Sequence, residues 1–351
     1  MHPTLFRIPF VHLTIWSFGA MAALGSVTAL LLARRMTRRA GLDLFVTTDA
    51  ALFCLVIGMI GARAFFVLHH LNEFRGDLLG VVAIWRGGLE FVGGVIPAVA
   101  FLLFYLRRRR LPIRRYLDIM AVGLMLGLAF GRIGCFLNGC CYGKPTDLPW
   151  GVRFPYRSYA YHSQINADPA RGRSEPHLPL PASQYAAFLD DEGRWYPMSL
   201  AELTPQQRYE VTKGEYRCRP VHPTQLYSSA NALLLCVVLY LLWRRSLGWP
   251  RVREQRGWSR RPGFTTAAFL VLYGVTRFLL ELVRDDNPFE IAWLTISQIL
   301  GLLLLAAGMI MLAALVLTKP SPIGQTHVIK KPEKPRPASR AAGSKPESDL
   351  C

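Results

Sequence analysis

Charge is scarce in this chain of 351 residues. Only 18% of it is charged, and carboxylates are the rarest part, 23 Asp and Glu against 41 Lys and Arg. A disordered chain is excluded, because such chains lack apolar residues to bury and this one is 52% hydrophobic. The net charge of +18 suggests nucleic acid, but a nucleic-acid binder sets its basic residues in a polar surface composition, and that is missing. No nucleic-acid partner is expected. Cysteines number seven, with no His or second Cys pair at a familiar zinc spacing. There is no visible repeat at a solenoid period. Nor does the chain divide into two inverted halves, which weakens a transporter reading.

What is present is a series of apolar blocks at 15–33, 50–68, 87–106, 119–139, 226–243, 265–283 and 291–317. Each is long enough to cross a hydrocarbon core as a helix. The sequence therefore predicts an all-α polytopic membrane protein with seven transmembrane helices and a small periplasmic cap. Residues 1–139 hold helices one to four, 140–221 the cap, 222–317 helices five to seven, and 318–351 a disordered basic cytoplasmic tail. The first block is followed by Arg34, Arg35, Arg38 and Arg39 and shows no small-residue cleavage site, so it reads as an uncleaved helix.

Alternate loops and the tail hold 24 of the 41 basic residues. The positive-inside rule then puts the N-terminus outside and the C-terminus inside. The tail, rich in Lys, Pro, Ser and Ala, is expected to touch anionic lipid or simply to be solvated.

Ionisable residues inside spans are costly and usually face a cavity. Arg63, Glu90, Arg132, Arg277 and Glu281 all fall, by this topology, in the outer part of the membrane. Arg277, Glu281 and Arg284 follow an i, i+4, i+7 spacing and share one helix face. Three Arg against two Glu leave a positive site, and the planar guanidinium suits phosphate. The implied ligand is an anionic lipid headgroup. An internal Arg–Glu lattice that only ties helices together is the other reading.

The fourth block ends Gly131-Arg132-Ile133-Gly134-Cys135-Phe136-Leu137-Asn138-Gly139 and continues Cys140-Cys141-Tyr142-Gly143. Here the sequence resembles the prolipoprotein diacylglyceryl transferases of bacterial inner membranes, whose signature opens Gly-Arg-Ile-Gly and continues Phe-hydrophobic-Asn-Gly. Further blocks agree in order: Gly61-Ala62-Arg63, Gly87 to Gly94, Pro145 to Pro155, His222-Pro223-Thr224-Gln225-Leu226-Tyr227, Arg277 to Arg284, and Leu294 to Gln298.

The resemblance implies transfer of the diacylglyceryl group of phosphatidylglycerol to the lipobox cysteine of a preprolipoprotein. A thioether forms and glycerol phosphate leaves, with no metal or cofactor. The partners implied are phosphatidylglycerol, the preprolipoprotein signal peptide and membrane lipids. By the same resemblance Arg132 and Arg277 act on the phosphate and transition state, Glu281 orients Arg277, and Arg63 supports the lipid pocket. Asn138, Arg284 and Tyr227 join the substrate-binding set, with Asn138 and His222 open to a purely structural role. The alternatives are a non-catalytic or altered-specificity lipid-binding paralogue, and a lipid transporter.

The chain departs from the family pattern at four positions. Val92 stands where His is common, Cys135 where Asn is common, Cys140 where Glu is common, and Ser228 where an acidic residue is usual. The first removes a proposed base, and Glu90 is the first candidate to replace it as proton acceptor. Cys54 and Cys236 read as packing residues. Cys135, Cys140, Cys141 and Cys218 lie at or near the outer face, where disulfides persist. A bridge from Cys140 or Cys141 to Cys218 is open, as is a chemical role for Cys135 or Cys140. His162 and His177 read as surface residues.

Overall fold

The computed structural model describes residues 4–8, 13–71, 74, 76, 78–83, 88, 90–190, 193–247, 258–290 and 293–318. The chain starts with an antiparallel hairpin, β1 (Thr4–Ile8) and β2 (Leu13–Trp16). Ile15, expected to open the first span, instead pairs with Phe6, and helix α1 (Ser17–Arg39) begins just after it. This helix runs on through Arg34 and Arg35 to Arg39, as cations near a helix C-terminus are favourable. The tail beyond residue 318, expected to be disordered, lies outside the described residues.

Helix α2 (Leu44–His69) starts where the Asp43 carboxylate accepts the Phe45 N–H at 2.8 Å. A short helix α3 (Leu78–Val82) precedes α4 (Phe91–Arg108), an 18-residue helix with Pro97 inside it. Helix α5 (Ile113–Asn138) leads into a long segment that returns to the helices at α9. That segment carries α6 (Tyr159–Gln164), α7 (Ala182–Tyr185), a hairpin of β3 (Ala186–Leu189) and β4 (Trp195–Pro197), and α8 (Pro205–Thr212). The chain returns through α9 (Thr224–Leu247), α10 (Phe264–Glu281) and α11 (Ile296–Leu317). Among the described residues, α1, α2, α5, α9, α10 and α11 are long and apolar enough to cross a membrane. Their outward faces carry bare apolar residues such as Phe45, Ile310 and Leu317, which suits contact with lipid chains.

In lipid there is no transfer gain when apolar helices meet, so close backbone approach must supply the contact. Small residues provide it. A Cβ on Gly61 of α2 would lie 2.5 Å from the Gly93 carbonyl of α4, and one on Gly274 of α10 would lie 2.7 Å from the Gly301 carbonyl of α11. Helix α5 packs between α1 and α9 around Met36, Ile119, Val122, Met125, Leu239 and Trp243. Asp118, buried in α5, accepts the Gly263 N–H at 2.7 Å, and the Thr266 N–H and hydroxyl at 2.8 and 2.6 Å. It caps the start of α10 from a neighbouring helix, where Gly263 supplies no side chain.

The segment between α5 and α9 has its own core of Tyr142, Phe154, Ala160, Tyr161, Ile165, Leu178 and Val221, with Cys218 among them. A capping box at Thr204 and Gln207 starts α8. His162 and His177, expected as surface residues and not as ligands, are half-buried here. The His162 ring packs tilted against Tyr196, and His177 lies 3.7 Å from an Asp285 carboxylate oxygen.

Candidate active site

Helix α5 ends at Gly139, whose φ of 81° is the left-handed conformation that glycine adopts freely. The turn that follows is laced to two distant parts of the chain. The Gly143 N–H donates to the His222 carbonyl at 3.1 Å, and the Lys144 N–H donates to the Val283 carbonyl at 2.9 Å. Thr224 Oγ1 donates to the Cys141 carbonyl at 2.6 Å, and Gln225 Nε2 to the Cys140 carbonyl at 2.7 Å. The end of α5, the start of α9 and the end of α10 thus meet at one place.

Of the three charges expected to share one helix face, Arg277 and Glu281 lie on α10, whereas Arg284 lies past the helix end at Glu281; the three still form one network. Arg277 Nη1 lies 3.0 Å from Glu281 Oε2, and Arg284 Nη1 lies 3.7 Å from the same oxygen. Glu281 is almost wholly buried and also accepts from Thr295 Oγ1 at 3.1 Å and from the Asn287 amide. Arg277 donates to the Ser297 hydroxyl. Arg284 forms a two-pronged pair with Asp286, with contacts of 2.8 and 2.6 Å. Asn287 and Asp286 escaped the sequence reading, although the polar run Arg284-Asp285-Asp286-Asn287 directly after an apolar helix was the signal. Ser297 and Thr295 lay inside a matching block without an assigned role.

Arg132 is half-buried near the end of α5, and its Nη1 reaches Cys141 Sγ at 3.6 Å. The sulfurs of Cys135, Cys140 and Cys141 all lie within 4.8 Å of one another. Thiol contacts from Cys135 and Cys140, followed by the charges of Arg284 and Arg132, hold the Cys141 thiol well below its ordinary value. Asn138 sits in the last turn of the same helix, within reach of the Cys140 thiol. Cys218 stands apart in the core of the segment between α5 and α9, where burial pushes its thiol up to about 11. All six described cysteines are free, so the open bridge to Cys218 is not formed.

Arg63 and Glu90 form a second grouping around α2 and α4. The buried Arg63 guanidinium donates to the carbonyls of Val81, Gly88 and Gly80 at 3.0, 2.8 and 2.5 Å. Phe66 and Phe74 lie against it, with the guanidinium carbon 5.4 and 5.3 Å from their ring centres. Arg63 therefore ties α2 to the chain around α3. Glu90 is the N-cap residue of α4, and its carboxylate meets His69 Nδ1 at 3.0 Å rather than an arginine. Tyr227 joins that same segment to α9, its hydroxyl accepting from Trp150 Nε1 at 2.7 Å and lying 3.3 Å from His222 Nδ1.

Chemically, the first grouping offers guanidinium donors at the ends of packed helices, next to polarisable sulfur. The chain matches the family described as prolipoprotein diacylglyceryl transferase over residues 3–314. It is 31% identical to a phosphatidylglycerol–prolipoprotein diacylglyceryl transferase of Stenotrophomonas maltophilia, over 89% of this chain and 90% of that one. A protein of the same name from Xylella fastidiosa is 32% identical over 84% of this chain and 83% of its own. One from Synechococcus elongatus is 28% identical over 88% and 85%.

Proposed function

The chain belongs to the prolipoprotein diacylglyceryl transferase family, and on that premise we propose that it transfers a diacylglyceryl group from phosphatidylglycerol to the cysteine thiol of a prolipoprotein lipobox. It is a membrane transferase. The observation that carries the reading is the Arg277–Glu281–Arg284 network beside Arg132. A bond forms between the thiol sulfur and the terminal glyceryl carbon, and the bond from that carbon to the phosphate oxygen breaks. Glycerol phosphate leaves with the electron pair. Arg132 and Arg277 bind the phosphate as charge grows on it, where fixed donors are most effective. Glu281 holds Arg277 in place, and Arg284, Asn138 and Tyr227 shape the headgroup site. Arg63 supports the lipid pocket from the α2–α4 side. Glu90, paired with His69, accepts the proton of the attacking thiol.

The reading includes seven spans, with α4 as the third, an N-terminus outside and a C-terminus in the cytoplasm. The folded segment between α5 and α9 is then a periplasmic cap over the site, in a bacterial inner membrane. The test is lipidation of a lipobox peptide by purified protein in phosphatidylglycerol vesicles. Arg132→Lys and Arg277→Lys, which keep charge but lose the planar fork, are each expected to lower the rate by about 10²–10³. Near-parental thioether formation by both variants overturns the assignment of the phosphate site.

A further inference from the structure

We propose that Cys135, Cys140 and Cys141 bind a single thiophilic metal ion, zinc in the first instance, and that the bound cluster positions Arg132. Three sulfurs within 4.8 Å of one another lie within a small side-chain adjustment of ligation by one ion, since zinc–sulfur bonds of about 2.3 Å set neighbouring sulfurs roughly 4 Å apart. Ligation replaces three S–H bonds by three metal–sulfur bonds and releases three protons to solvent, with no change of oxidation state.

The backbone holds these sulfurs together independently of any ion. Cys135 lies on the last turns of α5, and its carbonyl accepts the Gly139 N–H at 2.9 Å. Gln225 and Thr224 clamp the carbonyls of Cys140 and Cys141. Cys141 has a φ of 60°, a conformation that a residue with a side chain keeps only where its surroundings enforce it. Oε1 of the buried Gln225, whose Nε2 holds the Cys140 carbonyl, has no hydrogen-bond partner among the described residues. An odd number of thiols also argues against a disulfide as the purpose of the cluster. One bridge would leave a sulfur over, in a compartment that oxidises thiols.

The link to Arg132 rests on the proposed function. Its Nη1 contact with Cys141 Sγ is a donor to a sulfur that metal binding makes a permanent thiolate. The ion fixes the sulfur, and the sulfur fixes the guanidinium that meets phosphate. Groups one step removed from a metal commonly change activity by about 10–100-fold.

The experiment uses the full chain, purified without chelator and reconstituted in phosphatidylglycerol vesicles. Metal analysis should find roughly one zinc per chain. Cobalt added to the stripped protein should give the intense near-ultraviolet absorption of sulfur-to-cobalt charge transfer. Cys135→Ser, Cys140→Ser and Cys141→Ser should each weaken that band, while Cys54→Ser and Cys218→Ser leave it intact. No retained metal and no cobalt band overturn the site, as does alkylation of the three thiols that requires prior reduction, which marks a disulfide. Arg132→Lys should be severe in the loaded protein and add little in the stripped one, because both changes act through the same guanidinium. Additive losses overturn the positioning role. Full lipidation by stripped protein overturns the inference and leaves the function standing. Loaded protein that never lipidates overturns the function and leaves the metal site standing.

Discussion

At the residue scale, Glu281 is the keystone of the α10 network. Its carboxylate meets two arginines, a threonine and an asparagine while almost fully buried. Glu281→Gln keeps the shape and removes the charge that Arg277 and Arg284 share. Breaking a buried pair from one side typically costs about 3–5 kcal/mol, because the other charge is left uncompensated. The variant should insert, lose several degrees of melting temperature in detergent, and lipidate far more slowly than the parent. Glu90→Gln tests a different role. It should lose most activity at neutral pH and recover part of it as pH rises toward the thiol value. A rate and pH profile equal to the parent's would remove Glu90 from the chemistry. The Arg277–Glu281 pair was legible in the sequence, because an i, i+4 spacing needs only the period of a helix, whereas Arg284 meets Glu281 from beyond the end of α10. The other partners were not legible. Ser297 and Cys141 reach these charges through tertiary folding, which periodicity does not encode, and Asn287 reaches Glu281 through the turn that follows α10. Glu90 shows the converse, since charge alone suggested an arginine partner and the end of α2 supplied His69 instead.

At the element scale, Asp118 explains an anomaly of the sequence, a lone carboxylate in an apolar helix. It satisfies the N–H groups that open α10. Asp118→Ala should destabilise the protein by about 2 kcal/mol, by loss of a cap and exposure of buried donors, and Asp118→Asn by less. Thermal unfolding in detergent measures both. The contact of α10 with α11 is as exacting. Gly274→Leu would drive a side chain into the Gly301 carbonyl, so it should separate the two helices. Ser297 on α11 would then move from Arg277, and lipidation should fall together with stability. Helix existence and rough placement were readable from apolar length. Helix ends were not: α2 begins at Leu44, six residues before its apolar block, because Asp43 caps it there. The starting hairpin was hidden too, since an apolar run such as Leu13–Trp16 fits a strand as well as a helix.

At the scale of the whole molecule, the segment between α5 and α9 should respond to acid before the helices do. Burial, reinforced by Arg194 and against the pull of Asp190, lowers His162 below its ordinary value. Burial and Arg173 lower His177 against the pull of Asp285. A histidine whose folded value is depressed contributes stability that is present above its unfolded value of about 6.5 and is lost as pH falls through the folded value. Fluorescence of Trp195, whose N–H donates to Asn166 at 2.7 Å, should therefore report loosening of this segment as pH drops below that range. Circular dichroism of the long helices should stay level over the same interval. Topology is tested separately. A cysteine reagent confined to the periplasm should not label a thiol placed in the tail of intact cells, and labelling there would reverse the orientation.

The pairing of Val152 with Val221, joined in both directions at 3.0 Å, brings the two limbs of that segment side by side before the chain turns back to α9. Everything between those valines is an excursion that leaves and returns at one spot. The excursion still touches the loop after α10, since Arg173 pairs with Asp285 at 3.0 Å and the Phe289 N–H donates to the Ala170 carbonyl at 2.9 Å, so changes of length are tolerated where these contacts are kept, as around the β3–β4 hairpin. A single residue inserted between Gly139 and Lys144 would instead break the isolated bridge that holds Gly143 to Arg284. Length variation among descendants of this sequence should accumulate around the β3–β4 hairpin and stop short of the Gly143–Arg284 bridge.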